Sequence, residues 1–150
     1  VPELLRSMDY FHSEMVKGRL GEIAFEPDQI LKETPSTYFN RNCFIGSAYP
    51  SPSDAAIIRE VGVERVMWGS DYPHHESTYP YTRESLRLVF SDWSPEELQT
   101  LLAITASRVY GFDLDALRPL AAEYGPTHAE IARPLDVVPL DATSPAFSRL

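Results

Sequence analysis

Apolar positions recur every three or four residues over the first part of the chain, from Pro2 to Lys17-Gly18. This spacing predicts an amphipathic helix that has a proline in its first turn and a glycine after its end. The stretch from Ile30 to Phe39 is less regular and predicts one or two short helical turns.

A strand, a helix and a second strand follow, joined by short connections. Residues 42–48 form an apolar run that predicts a buried strand, and Ser51-Pro52 opens a helix that Gly62 ends. The run Val66 to Gly69 predicts the second strand. Short joints between such elements are typical of a βαβ unit, in which the two strands are parallel. The pattern therefore predicts an α/β fold.

Three further helices are predicted in the second half of the chain. One begins at Thr82, and the next opens at Ser94, where a cap residue, a first-turn proline and a capping-box glutamate come together before Gly111 closes the helix. Residues 113–124 predict another helix. Prolines break the pattern afterwards, so we expect residues 126–150 to form an extended or disordered tail.

Composition and charge limit the classes of partner and the cellular location that we expect. The 150 residues carry 13 Lys and Arg against 22 Asp and Glu, a formal charge of -9, which argues against nucleic acid or an anionic membrane as partner. No apolar stretch approaches the roughly 18 residues that span a bilayer. Because Cys43 is the single cysteine, a cytoplasmic location fits best, and we expect Cys43 to be a buried small hydrophobe. Val1 stands inside a helical pattern, so we expect a piece of a longer protein.

The strongest candidates for catalytic or metal-binding residues lie at the end of the second strand, within residues 65–77. Catalytic side chains gather at the carboxyl ends of parallel strands, and Asp71 stands at this position. Alternation along the strand places Asp71 on the same side as Gly69, which leaves space beside it. A carboxylate there can bind a divalent metal or accept a proton from an attacking water. The alternative is a surface loop in which Asp71 caps a turn made by Pro73, and spacing alone does not separate the two.

The histidines of the chain differ in their surroundings. His74 and His75 are adjacent, so both cannot readily bind one ion from regular structure. His12 and His128 have no partner nearby in sequence, and we expect them to be structural or solvated.

The run Gly69-Ser70-Asp71-Tyr72-Pro73-His74, followed by Glu76-Ser77-Thr78-Tyr79-Pro80, resembles the carboxyl-terminal signature of the amidohydrolase-related family. That family includes the aminocarboxymuconate-semialdehyde decarboxylase-like metal-dependent hydrolases. Residues 32–39, 42–47 and 106–111 agree with it in order and approximate spacing. The resemblance covers roughly residues 1–115.

The resemblance implies a (β/α)₈ TIM barrel, of which this chain would supply the last two strands and their helices. The partial barrel segment would occupy residues 1–125, and a proline-rich extended tail residues 126–150. Asp71 would be a metal ligand or the catalytic acid and base, with His74 and His75 contacting substrate or supporting the ligands. The implied cofactor is a divalent metal, zinc or manganese.

Two departures from the family pattern affect these expectations. Thr105 stands where members commonly carry Asn, although a threonine can also bond backbone. The His-x-His motif of the first strand and the histidines of the middle strands have no counterpart in this sequence. One carboxylate and one imidazole do not complete a catalytic site, so we expect the chain alone to be inactive and to hold no metal tightly.

These observations favour a metal-dependent hydrolase or decarboxylase acting on a small carboxylate-bearing or aromatic molecule. Two strands of a barrel leave an open sheet edge, which predicts a homo-oligomer or pairing with a missing amino-terminal half. The alternative is a non-catalytic α/β interaction or scaffold domain that keeps the strand and helix pattern.

Overall fold

Two helices form the first unit of the chain, which ends at Phe44 in the computed structural model; the model describes residues 1–148. Helix α1 covers Pro2–Val16 and helix α2 covers Pro35–Asn42, with a 3₁₀ turn at Pro27–Gln29 between them. Both helices begin with a proline in the first turn, where the missing N–H leaves no hydrogen bond unmade.

Polar contacts join the two helices of this unit. The Asp9 carboxylate accepts a hydrogen bond from the Ser36 backbone N–H at 2.9 Å, at the amino terminus of α2. Hydrogen bonds from the Ser36 side chain and backbone lower the pKa of Asp9. The helix predicted at the amino terminus is confirmed, yet no residue of α1 is buried, and Phe11 and Val16 are 52% and 61% exposed.

A parallel βαβ unit opens the second unit of the chain. Strand β1 is Ile45–Ala48, helix α3 is Pro52–Val61 and strand β2 is Val66–Gly69. The strands are parallel, with Ile45 opposite Val66 and Ala48 opposite Gly69. The α/β class and the parallel pairing are therefore confirmed. That these strands belong to a (β/α)₈ barrel stays a prediction.

Strand β1 is shorter than the sequence pattern predicted. Asn42 is the last residue of α2, and Cys43 follows it as the helix cap. The prediction that Cys43 is buried is wrong, because Cys43 lies before the strand begins and its side chain is exposed.

Helices cover the rest of the second unit. Helix α4 is Thr82–Phe90, α5 is Pro95–Gln99 and α6 is Thr105–Tyr110. A π-helical turn at Thr100–Ile104 joins α5 to α6, so the helix predicted from Ser94 is present but locally widened. Its predicted ends are confirmed: Ser94 and Glu97 form a capping box, and Gly111 adopts the left-handed conformation with φ 75°.

The core lies between one face of the sheet and these helices. Ile45 and Trp68, on that face, pack against the buried cluster. Phe90 and Trp93 are 1% and 2% exposed and meet edge to face with ring centroids 4.8 Å apart. The buried cluster consists of Ile58, Val66, Leu86, Val89, Phe90, Trp93, Leu98, Leu101 and Ile131.

The segment after residue 125 contains local structure and packs on α4. After helix α7, Leu114–Tyr124, a short helix α8 covers His128–Ile131, and a 3₁₀ turn covers Pro145–Phe147. Ile131 and Phe147 are buried, and both of these elements contact α4. The predicted domain division at residue 125 stays a prediction, and residues 149–150 of the predicted tail lie outside the described residues.

Candidate functional site

A residue with positive φ comes shortly after each strand, and after β2 this residue is Asp71. Tyr49 directly follows β1 with φ 38°, and Asp71 stands two residues after the end of β2 with φ 63°. The Tyr49 N–H donates to the Gly69 carbonyl at 3.0 Å, which holds the two strand ends together. Residues other than glycine rarely adopt a positive φ, although Asp tolerates it better than most. Such backbone conformations cluster at functional sites.

The loop after β2, residues 70–81, is closed by its own backbone. The Thr78 N–H donates to the Ser70 carbonyl at 2.9 Å, and two turns lie between them, from His74 N–H to Asp71 carbonyl and from Ser77 N–H to His74 carbonyl. Ser77 and Thr78 are 4% and 1% exposed. The loop is thus anchored at its ends while its middle lies in solvent.

Three side chains of this loop bring potential metal-binding atoms together. The ligand atoms of Asp71, His74 and Glu76 all lie within 4.8 Å of one another. Asp71 Oδ2 lies 3.2 Å from His74 Nδ1, and the side chains of Asp71 and His74 are 29% and 71% exposed. Within residues 1–148, no other set of three or more His, Cys, Asp or Glu side chains brings its ligand atoms this close together.

The donor set fits a divalent ion in type and spacing. Nitrogen and carboxylate oxygen are the ligands of zinc and manganese sites in proteins. Donors about 2.1 Å from one ion are separated by roughly 3–4 Å, which the Asp71–His74 distance already meets. Because His74 and Glu76 are exposed, their side chains are free to rotate toward a shared ion.

Asp71 opens onto a depression beside the sheet in the second unit. The depression holds about 490 Å³, and its floor includes Gly46, Ala48 and Gly69. A Cβ built on Gly46 or Gly69 meets no atom within 4 Å, so the space directly above these two glycines is open. Tyr110 and Phe112 add aromatic surface at the side. The space that alternation predicted beside Asp71 is therefore present.

A larger cavity of about 620 Å³ shares Ala106 and Phe112 with this depression but does not include Asp71. Trp68, Leu86 and Leu102 line it together with residues of α7, and its walls are mostly apolar. No acid–base pair or metal-binding group of the described chain lies in its wall. The smaller depression, which includes Asp71, is therefore the candidate site.

The structure separates the two adjacent histidines. His74 lies against Asp71, whereas the backbone carbonyl of His75 accepts a hydrogen bond from Thr143 and its side chain is exposed. His12 Nε2 bonds the Leu31 carbonyl at 2.8 Å and His128 Nε2 the Trp93 carbonyl at 3.1 Å, as expected of structural histidines.

Glu76 was missed by the sequence reasoning, which weighed only the aspartate and the histidines as ligands. The available signal was the spacing Asp-x-x-His-x-Glu around Pro73. A loop that turns back on itself can bring side chains two and three positions apart close together. Thr105 also differs from expectation. Its buried hydroxyl has no hydrogen-bond partner within the described chain, so it does not bond backbone there.

None of the described helices combines the length and the apolar composition that a membrane crossing requires.

The model of a family described as Amidohydrolase matches residues 26–112, which is more than half of the chain. Searches of curated proteins and of solved structures found no match. The matched range includes both strands, Asp71, His74 and Glu76.

Proposed function

Since the chain belongs to the Amidohydrolase family, we propose that it is the carboxyl-terminal part of a metal-dependent hydrolase or decarboxylase. Asp71 is the central residue of this proposal. The observation that carries it is the position of the Asp71 carboxylate, at the carboxyl end of β2, 3.2 Å from His74 Nδ1 and open to the glycine-floored depression.

Asp71, His74 and Glu76 would hold the divalent ion. The ion, when bound, supplies a Lewis acid that polarises a substrate carbonyl or a water. Asp71 is the least exposed of the three donors, so it would be the anchoring ligand or, where it is not coordinated, the group that accepts the proton of the attacking water. Without the ion, His74 Nδ1 would hold the Asp71 carboxylate in place through the 3.2 Å contact.

The lining of the depression supports a small aromatic or carboxylate-bearing substrate. Gly46 and Gly69 leave the floor free of side chains, and Tyr110 and Phe112 offer aromatic surface against which a planar ring can lie. A substrate carboxylate would be taken by the ion, because no Lys or Arg lines the depression in the described part of the chain.

The chain alone is proposed to be inactive. All three donors come from one loop and two of them are exposed, so water competes for the ion. Strands β1 and β2 form a two-stranded sheet within residues 1–148, and parallel strands are normally covered on both faces. Further strands, from another copy or another polypeptide, would cover the open face and supply the remaining ligands.

Calorimetric titration of the full chain with zinc and manganese chloride tests the role of Asp71. We expect weak binding of one ion, weakened at least about tenfold in Asp71→Asn, since even residues that only support a metal ligand contribute a factor of 10–100. Asp115→Asn is the matched control, because it removes a carboxylate from a surface ion pair with Arg118.

Two results would contradict this proposal. Unchanged binding in Asp71→Asn would remove Asp71 from the site. One tightly held ion per purified chain would contradict the claim that the site is incomplete.

A non-catalytic interaction domain is the second candidate, favoured by exposed apolar side chains near the end of α6. Tyr110 and Phe112 are 65% and 53% exposed. Light scattering after size exclusion tests whether the chain pairs with itself. A defined oligomer favours completion of the site by a second copy, and a well-behaved monomer argues against pairing through the open sheet edge.

A further inference from the structure

The carboxyl-terminal segment returns to the loop that carries Asp71 and bonds it at two points. Thr143 Oγ1 donates to the His75 carbonyl oxygen at 3.0 Å, in the middle of the loop. The Tyr81 hydroxyl, at the end of the loop, donates to Asp141 Oδ1 at 2.6 Å. These bonds span 68 and 60 residues of sequence, so they are tertiary contacts and not local turns.

The segment that makes these bonds is itself fixed to the body of the second unit. Ser144, Ala146 and Phe147 are 3%, 0% and 6% exposed, and the 3₁₀ turn that holds Ala146 and Phe147 contacts α4. Thr143 stands directly before this buried anchor. A hydrogen bond from a residue beside a fixed anchor restrains its partner, whereas one from a free tail would not.

The middle of the loop needs such a restraint. His74, His75 and Glu76 are exposed and lie in two successive turns, and Asp71 is held at a φ of 63° that side chains rarely adopt. Within the described residues, the Thr143 hydroxyl gives the His75 carbonyl a partner outside the loop.

We propose that residues 141–147 form a carboxyl-terminal clamp that holds the Asp71 loop in its metal-binding conformation, with Thr143 and Tyr81 as positioning residues. The clamp fixes the loop backbone from which the His74 and Glu76 side chains reach toward Asp71. Its effect on metal affinity depends on the proposed function, but its effect on the loop does not.

Amide hydrogen exchange of the metal-free full chain, followed by NMR, tests the clamp directly. In Thr143→Val the His74, Ser77 and Thr78 amides should exchange about fivefold faster, the factor expected for one lost hydrogen bond, while core amides of β2 and α4 keep their rates. Thr143→Ser, which keeps the hydroxyl, should restore slow exchange. Ser148→Ala is the matched control, because its hydroxyl bonds the Pro145 carbonyl in the same segment and not the loop.

Tyr81→Phe provides a second variant, and it should speed exchange in the same loop amides because the bond to Asp141 is lost. Unchanged loop exchange in both variants would overturn the clamp. Equal acceleration throughout the chain would also overturn it, since the bonds would then serve global stability alone.

Zinc titration of the same variants links the clamp to the site. We expect about fivefold weaker zinc binding in Thr143→Val and no change in Ser148→Ala. If the wild-type chain binds no zinc at all, the metal proposal fails, while the exchange rates still decide whether the clamp exists.

Discussion

The ion pair between Arg59 and Glu97 links helix α3 to helix α5, and it gives stability that depends on pH. Arg59 Nε lies 2.8 Å from Glu97 Oε1 and Arg59 Nη2 lies 3.2 Å from Oε2, so the contact is bidentate. Arg59 also lies 3.3 Å from Asp92 and 4.6 Å from the centre of the Trp93 ring. Substituting either partner of the pair should therefore weaken the packing of α3 on α5.

The expected coupling between Arg59 and Glu97 is about 1 kcal/mol. Exposed ion pairs contribute roughly 0.2–1 kcal/mol, and the bidentate geometry favours the upper end. The side chains are 39% and 31% exposed, so solvent screening keeps the value from rising further. In a chain of this size, 1 kcal/mol corresponds to about 2–4 °C in the melting temperature.

The pH dependence follows from the Glu97 carboxylate. The hydrogen bond from Arg59 and that from the Ser94 backbone lower the pKa of Glu97 below its ordinary value. A lowered pKa in the folded state gives stability that is complete above the ordinary value of about 4.3 and is lost as pH falls through the lowered pKa. The coupling should therefore be constant from pH 7 to about pH 5.5 and decline at lower pH.

A double-mutant cycle with Arg59→Met and Glu97→Gln measures this coupling. The free energy of unfolding is obtained from urea denaturation followed by tryptophan fluorescence at pH 7, 5, 4 and 3. Gln keeps an acceptor for the Ser94 N–H and preserves the capping box, and Met keeps an unbranched stem. A coupling below about 0.2 kcal/mol at pH 7, or one that is the same at pH 3 as at pH 7, would refute the reasoning.

Three further predictions use the same urea measurement. Asp71→Gly should leave stability unchanged or raise it by up to about 1 kcal/mol, because glycine adopts the positive φ without strain. A loss of more than about 1 kcal/mol would contradict the idea that Asp71 is strained. Gly111→Ala should lower stability by about 1 kcal/mol through conformation alone, since its Cβ meets no atom within 4 Å; no loss would contradict the left-handed cap. Phe90→Ala should lower it by about 3–5 kcal/mol, and a loss below about 1 kcal/mol would show that Phe90 is not in the core.

The sequence by itself determined the βαβ order and the helix ends that carry a capping residue. Ser51, Ser94 and Gly111 act on backbone groups within a few residues. Their effect therefore depends only on the local sequence and was predicted correctly. Asp71 was also identified in this way, because a carboxylate two residues after the end of a strand must lie near the strand's carboxyl end.

Only the tertiary structure decided which side chains are covered and which meet. The exposure of Cys43 depends on where α2 ends, and the contribution of Glu76 depends on how its loop turns back. The bond from Thr143 to the His75 carbonyl joins residues 68 positions apart, and no local pattern encodes it. Such contacts depend on how distant elements pack. The exposure of Cys43, the position of Glu76 beside Asp71 and the Thr143 bond therefore could not be predicted from the sequence.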